Sequence, residues 1–234
     1  IRALNKKPFT KFYGDLKMNY KLAIFDLDGT ILDTLEDLAA STNYALQNNV
    51  LPARSIQEIK RFVGNGMEKL IERAVPNGTD EKTTQKVFAD FKEHYAKHCK
   101  DNTGPYKGIK ELLQKLKDSN VKTAVVSNKG DFAVQELCAS FFPDLFDFAV
   151  GERANVRRKP APDSVNEVLL KLKTEKEHAV YIGDSEVDIE TGANAHVEVI
   201  SVAWGFRSKE TLAGAGAKRI VNNIGELWHA FGGT

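Results

Sequence analysis

The chain has few cysteines, almost no net charge and no long apolar runs. Its two cysteines, Cys99 and Cys138, lie far apart and in no metal-type spacing. This argues against a disulfide framework and fits reduced, packing thiols in a cytoplasmic protein. The 33 Lys and Arg residues are balanced by 32 Asp and Glu, a formal net charge of +1. With no basic field and no stripe of interleaved aromatic and basic residues, neither nucleic acid nor an anionic membrane is expected as a partner. No apolar run reaches the length of a membrane span. There is no internal repeat and no low-complexity segment.

Apolar residues make up 42% of the 234 positions and charged residues 28%. That is enough to fill a sizeable core in one large domain or two modest ones. Residues 1–17 are basic, carry Pro8 and Gly14, and show no clear period. They lack the continuous apolar segment of a secretory signal. They are treated as an N-terminal extension, either added or a native arm, and Met18 is taken as a plausible start.

The organising stretch is Leu22-Ala23-Ile24-Phe25 followed by Asp26-Leu27-Asp28-Gly29-Thr30. A short apolar run closed by a turn signal reads as a buried strand. Asp26 and Asp28 then fall at its carboxyl end, where open α/β sheets bind ligands. Two carboxylates converging there repel each other unless a cation or a shared proton compensates. A hard ion such as Mg²⁺ suits them, since it binds one or two carboxylates plus phosphate oxygens.

From Asp33 to about Thr103 the chain reads as helices without a good strand: one to Asn48, one from Ile56 capped by Ser55, one over 67–75, and a long one from Asp80 to about His98. Beyond Asn102-Thr103-Gly104-Pro105 strands and helices alternate to the end. Alternation predicts a parallel sheet covered by helices. The expected fold is therefore α/β: a Rossmann-like core over 18–32 and 104–234, with a small all-helical cap over 33–103 inserted after the first strand. Both ends of the insert are turn-rich, as hinges often are.

Three further strand ends carry polar residues. Ser127-Asn128-Lys129 can donate to phosphate oxygens. In Lys159-Pro160-Ala161-Pro162 a lysine, a compact charge suited to a phosphoryl group, is pinned by two prolines that remove backbone freedom. In Gly183-Asp184-Ser185-Glu186-Val187-Asp188 two acids at a spacing of four share a face if a helix begins there. That pair fits metal binding and helix capping equally well.

Asp-x-Asp-Gly-Thr, Ser-Asn, Lys-Pro-x-Pro and Gly-Asp-x-x-x-Asp, in that order and each after a strand, resemble the four signatures of the haloacid dehalogenase superfamily. The details of Val63-Gly64-Asn65-Gly66, Ser127-Asn128-Lys129 and Ala203-Trp204-Gly205-Phe206 are most similar to its phosphoglycolate phosphatase branch. The resemblance implies a Mg²⁺-dependent phosphatase acting on a small phosphorylated metabolite, as a monomer or weak homodimer. Asp26 would be the nucleophile and Asp28 the acid and base, with Ser127, Asn128 and Lys159 holding phosphate. The metal would be held by Asp26, the backbone carbonyl of Asp28 and Asp184, with Asp188 orienting that shell. An acid at position 28 favours phosphoryl transfer over dehalogenation. The cap would choose the substrate, with Arg61 and Asn65 as candidates and Lys69 and Arg207 as weaker ones.

The same acids would serve a phosphomutase or a nucleotide or pyrophosphate phosphatase of the superfamily. A receiver-type phosphoaspartate switch also places acids and Mg²⁺ at a strand end, but the helical insert and Asp28 argue against it. A catalytically idle relative ranks below these, because every expected catalytic residue type is present.

Overall fold

A computed structural model describes residues 18–233; the expected extension over 1–17 lies outside the described residues. In chain order the elements are β1 (Leu22–Phe25), β2 (Leu32–Asp33), α1 (Leu35–Asn48), α2 (Ile56–Phe62), α3 (Met67–Ala74), α4 (Glu81–His98), β3 (Gly104–Pro105) and α5 (Ile109–Asp118). There follow β4 (Lys122–Gly130), α6 (Asp131–Phe141), β5 (Phe148–Glu152), α7 (Asp163–Lys171), β6 (Ala179–Gly183), α8 (Glu186–Ala195), β7 (Glu198–Val202), α9 (Lys209–Gly214), β8 (Ile220–Val221) and α10 (Ile224–Ala230).

Six strands form one parallel sheet in the order β5-β4-β1-β6-β7-β8. β1 sits at its centre, with Phe25 opposite Val125 on one side and Ile182 on the other. The chain fills the β4–β5 side first and then crosses back to β6. The order therefore reverses at β1, and a crevice opens at such a switch point. All of β1 is buried because both sheet faces are covered. Ala23 and Phe25 pack with α5, α6 and α10 through Leu112, Leu137 and Leu227, while Leu22 and Ile24 pack with α7 through Val165 and Val168. Fully burying Leu22, Ile24 and Phe25 stabilises the fold by about 1.5–3 kcal/mol each.

The expected strand over 146–150 lies two residues later. Thr123 N–H donates to the Asp147 carboxylate (2.8 Å). Phe146 instead turns inward and meets Phe25 and Phe142 edge to face. β4 is also longer than expected and carries Ser127 to Lys129 within it.

The insert begins and ends at one place. β2 and β3 form an antiparallel ladder that pairs Asp33 with Gly104, which the sequence reading did not foresee. Beside it, the buried Asp37 carboxylate accepts from Asn102 N–H (2.9 Å), the Asn102 side-chain amide (2.9 Å), Thr103 N–H (2.9 Å) and the Thr103 hydroxyl (2.7 Å). An acid from the first turn of α1 thus ties the two chain crossings together. Within the insert α1 packs along α4, and its apolar residues Leu38, Leu46, Ile59, Phe91 and Tyr95 join the cluster on one face of the sheet. Ser55 and Glu58 form a capping box on α2, and the Asp80 carboxylate accepts from Thr83 N–H at the start of α4 (2.9 Å).

Candidate active site

An open cleft lies over the carboxyl ends of β4, β1 and β6. Its floor includes Asp26, Asp28, Ser127, Asn128, Lys129, Lys159 and Asp184. Its roof is the end of α2, the turn Gly64-Asn65-Gly66 and the start of α3. The floor residues come from four separate segments, brought together because β4, β1 and β6 are neighbours.

The ammonium of Lys159 stands between two acids, 2.9 Å from Asp26 Oδ1 and 2.8 Å from Asp188 Oδ1. It also lies 2.9 Å from the Tyr181 hydroxyl. All four groups are buried. Burial alone would discharge the lysine, but the Asp188 and Asp26 carboxylates beside it hold its pKa well above the usual lysine range. Asp26 shows the opposing pull. Burial pushes its carboxyl up to about 7, and Asp188 and Asp28 push the same way, against the lowering effect of Lys159.

Asp184 is fixed by weaker partners. Phe206 N–H donates to its Oδ2 (2.6 Å) and the Thr30 hydroxyl to its Oδ1 (3.4 Å). The turn 203–206 that supplies Phe206 is braced by Trp204, whose indole N–H donates to the Thr30 carbonyl (3.0 Å). Burial, followed by the charges of Asp188 and Asp26, raises the Asp184 carboxyl well above its usual range. Gly205 allows this close packing: a Cβ there would lie 2.4 Å from Asp184 Cβ and Oδ2 and from the Gly29 carbonyl.

Carboxylate oxygens of Asp26, Asp184 and Asp188 all lie within 4.8 Å of one another. One lysine does not balance three buried acids; burial first, and then the neighbouring acids, raises the carboxyls of Asp26 and Asp184. A set of hard oxygen donors with excess negative charge fits a divalent cation. Asp188 is the least free of the three. Its Oδ2 accepts from Ser185 N–H (3.1 Å) and the Ser185 hydroxyl (2.6 Å), and its Oδ1 faces Lys159 and Tyr181. These bonds suit a residue that orients a shell.

Asp28 does not join that cluster with its side chain. Its carboxylate is held by Lys129 Nζ, 2.9 and 3.1 Å from the two oxygens. Lys129 stood in the sequence only as the last letter of Ser127-Asn128-Lys129, and its partner, 101 residues away, gave no local signal. Tyr181 and Thr30 were missed for the same reason.

The Asn128 side chain, expected at phosphate, bonds to the backbone of Lys159. Its side-chain carbonyl accepts from Lys159 N–H (2.8 Å) and its amino group donates to the Lys159 carbonyl (3.0 Å). The side chain therefore clamps the loop that carries Lys159. The Ser127 hydroxyl accepts from Lys129 N–H (3.2 Å) at the edge of the cleft.

In the insert, Asn65 lines the cleft, whereas Arg61 is exposed on α2 outside the lining. The side-chain oxygen of Asn65 is taken up by Arg73 Nη2 (3.1 Å). Lys69 pairs with Glu72 on the outer surface of α3. Arg207 lies in the lining, paired with Glu186. No helix among the described residues is long and apolar enough to cross a membrane.

The geometry agrees with comparisons to known proteins. The chain is 30% identical over 191 residues to a phosphoglycolate phosphatase of Aquifex aeolicus, covering 80% of this chain and 86% of that one. It is 28% identical over 222 residues to a phosphoglycolate phosphatase of Vibrio parahaemolyticus, covering 90% and 96%. A solved structure from Lactobacillus delbrueckii subsp. bulgaricus, whose own phosphoglycolate phosphatase assignment is a proposal, superposes with a TM-score of 0.88 at 39% identity, over 92% of this chain and all of that one. The sequence pattern described as Haloacid dehalogenase-like hydrolase matches residues 23–202, a span that holds all four acids and both cleft lysines. On fold, sequence and arrangement of the cleft alike, the chain belongs to the haloacid dehalogenase-like hydrolase family.

Proposed function

We propose that the chain is a Mg²⁺-dependent phosphatase that hydrolyses a small phosphomonoester of the phosphoglycolate kind through an aspartyl-phosphate on Asp26. The observation that carries this reading is Lys159, buried between Asp26 and Asp188, while Asp184 has no ion-pair partner among the described residues. The names of the relatives from Aquifex aeolicus and Vibrio parahaemolyticus support the substrate class.

Asp26 Oδ attacks phosphorus and the bond to the leaving alkoxide breaks. Asp28 gives that alkoxide a proton. It then takes one from the water that attacks the aspartyl-phosphate and releases inorganic phosphate, regenerating Asp26. Lys159 and Ser127 hold the phosphoryl oxygens, where positioning and charge neutralisation do most of the work. Asp26, the Asp28 carbonyl and Asp184 would hold Mg²⁺, which supplies charge neutralisation to a dianion approaching an acidic cleft. The helical segment 33–103 acts as a cap over this chemistry. The buried free thiols Cys99 and Cys138 are in keeping with a cytoplasmic enzyme.

The test is phosphate release from a panel of small phosphoesters that includes 2-phosphoglycolate, with and without Mg²⁺, beside Asp26→Asn. Mg²⁺-dependent release lost in the variant is the expected result. No release from any member by folded wild-type protein would overturn the assignment.

A further inference from the structure

We propose that Arg207 is a positioning residue: a strap from the core that holds the turn 63–66 of the insert down over the cleft. Arg207 follows the turn 203–206, whose Phe206 N–H fixes Asp184. Its guanidinium reaches in two directions. Toward the core, Nε and Nη2 donate to the Glu186 carboxylate (3.0 and 3.3 Å). Toward the insert, Nη1 donates to the Lys60 carbonyl (3.2 Å) and Nη2 to the Val63 carbonyl (2.7 Å).

Those two carbonyls belong to the last turn and C-cap of α2. Helix ends leave their last carbonyls without internal partners, and the dipole there favours a cation. The cation here is supplied by the core, 144 residues away from Val63. One planar fork serves the Glu186 carboxylate and both carbonyls, a geometry that an ammonium cannot reproduce.

Shape and attachment of the turn are separately controlled. Arg73, on α3 of the insert itself, donates to the carbonyls of Phe62 (2.7 Å) and Gly64 (3.2 Å) and to the Asn65 side chain (3.1 Å). These bonds shape the turn from within the insert. Of the two arginines only Arg207 joins it to the core. Gly64 lies against the strap: its φ is +123°, and a Cβ there would stand 3.2 Å from Arg207 Nη2. At the other edge Gly66 rests on the core, where a Cβ would lie 3.2 Å from Arg158 Nη1 and 3.6 Å from the Asn128 carbonyl.

The anchor also has a meaning. Glu186 stands between Asp184 and Asp188, on the first turn of α8. The strap therefore ties the roof of the cleft to the segment that carries two of its acids, and fixes the height of the roof relative to them.

The kinetic part of this inference rests on the phosphatase reading; the structural part does not. Amide exchange therefore decides the strap, and kinetics decide its use. In Arg207→Ala and Arg207→Lys, exchange at residues 62–67 should rise at least tenfold while β1, β4 and β6 stay protected. In Arg73→Ala the same amides should rise through loss of the turn's shape. In Glu186→Gln, which keeps the guanidinium but weakens its anchor, the rise at 62–67 should be smaller and in the same direction. For the phosphoester identified by the panel, the Arg207 variants should raise KM ten- to hundredfold with kcat little changed, because substrate must then supply the closure. The inhibition constant of inorganic phosphate, which has no leaving group to cover, should stay within about threefold. Unchanged exchange at 62–67 in both Arg207 variants would overturn the strap. A fall in kcat accompanied by weaker phosphate inhibition would overturn its role in closure and place Arg207's effect on the acids themselves. If the panel gives no substrate, the exchange result still stands or falls by itself.

Discussion

Lys129 Nζ lies 2.9 Å and 3.1 Å from the two carboxylate oxygens of Asp28, and 4.7 Å from the centre of the Tyr95 ring. One buried ammonium from the sheet therefore meets an acid of the core and an aromatic ring of the insert. It holds Asp28 in one orientation.

Lys129→Met should destabilise the protein by about 3 kcal/mol, since breaking a buried pair from one side costs roughly 3–5 kcal/mol and Asp28 keeps some contact with cleft water. Chemical denaturation measures this. Turnover should fall as well, because the freed carboxylate loses its aim at the leaving oxygen. A variant as stable and active as wild type would show that the pair is incidental.

Asp26→Asn should alter the pH dependence of stability in metal-free buffer. Burial raises the Asp26 carboxyl from its ordinary 3.8 to about 7 in the folded state. Between these values the folded state binds more protons, so wild-type stability falls as pH rises through that window. Asparagine does not titrate. The variant should therefore gain relative to wild type from pH 4 to 8 in paired thermal melts, and saturating Mg²⁺ should shrink the gain. A difference independent of pH would contradict the raised carboxyl.

Gly205→Ala should impair metal binding more than folding. Its new methyl would collide with Asp184 and the Gly29 carbonyl, all at 2.4 Å. Overpacking of this kind costs about 1–3 kcal/mol, and the acid must move. Calorimetric titration with Mg²⁺ should show affinity lowered at least tenfold in a protein that still melts cooperatively. Unchanged affinity would mean that the turn 203–206 does not set the Asp184 position.

Asp37→Ala should cost about 2–4 kcal/mol, because the backbone N–H groups of Asn102 and of the buried Thr103 lose a charged acceptor. Asp37→Asn keeps part of the network and should cost less. Limited proteolysis near 102–104 should become faster in the alanine variant, with cleavage elsewhere unchanged.

The parts of the fold that were legible from sequence are those in which neighbours in the chain carry the signal. The apolar run into Asp26, the alternation of strands and helices after Gly104, the cap at Ser55 and the helix start at Asp80 are of this kind. Arg207 is different. Five residues after a strand it reads as a loop cation free to meet a ligand, yet the structure uses its fork on a carboxylate and two distant carbonyls. Asp37 reads as an ordinary first-turn acid, and only the fold reveals the linker it holds. β2 and β3 are two residues long each, too short for any periodicity to register. Asn128 was placed in the right cleft, but its partner, the backbone of Lys159, was beyond any spacing rule.

The pairing of Asp33 with Gly104 gives the insert the character of an interchangeable cassette. The chain departs from the sheet and rejoins it through two adjacent strands. β1 and β4 therefore keep the same separation whatever lies between the two ends of the ladder. Lengthening such an excursion is cheap, with each doubling of a loop costing only about 0.6 kcal/mol. Evolution could thus exchange the roof without re-registering a single strand of the sheet that bears the acids. A designer wishing to retarget the enzyme would cut at these same two residues.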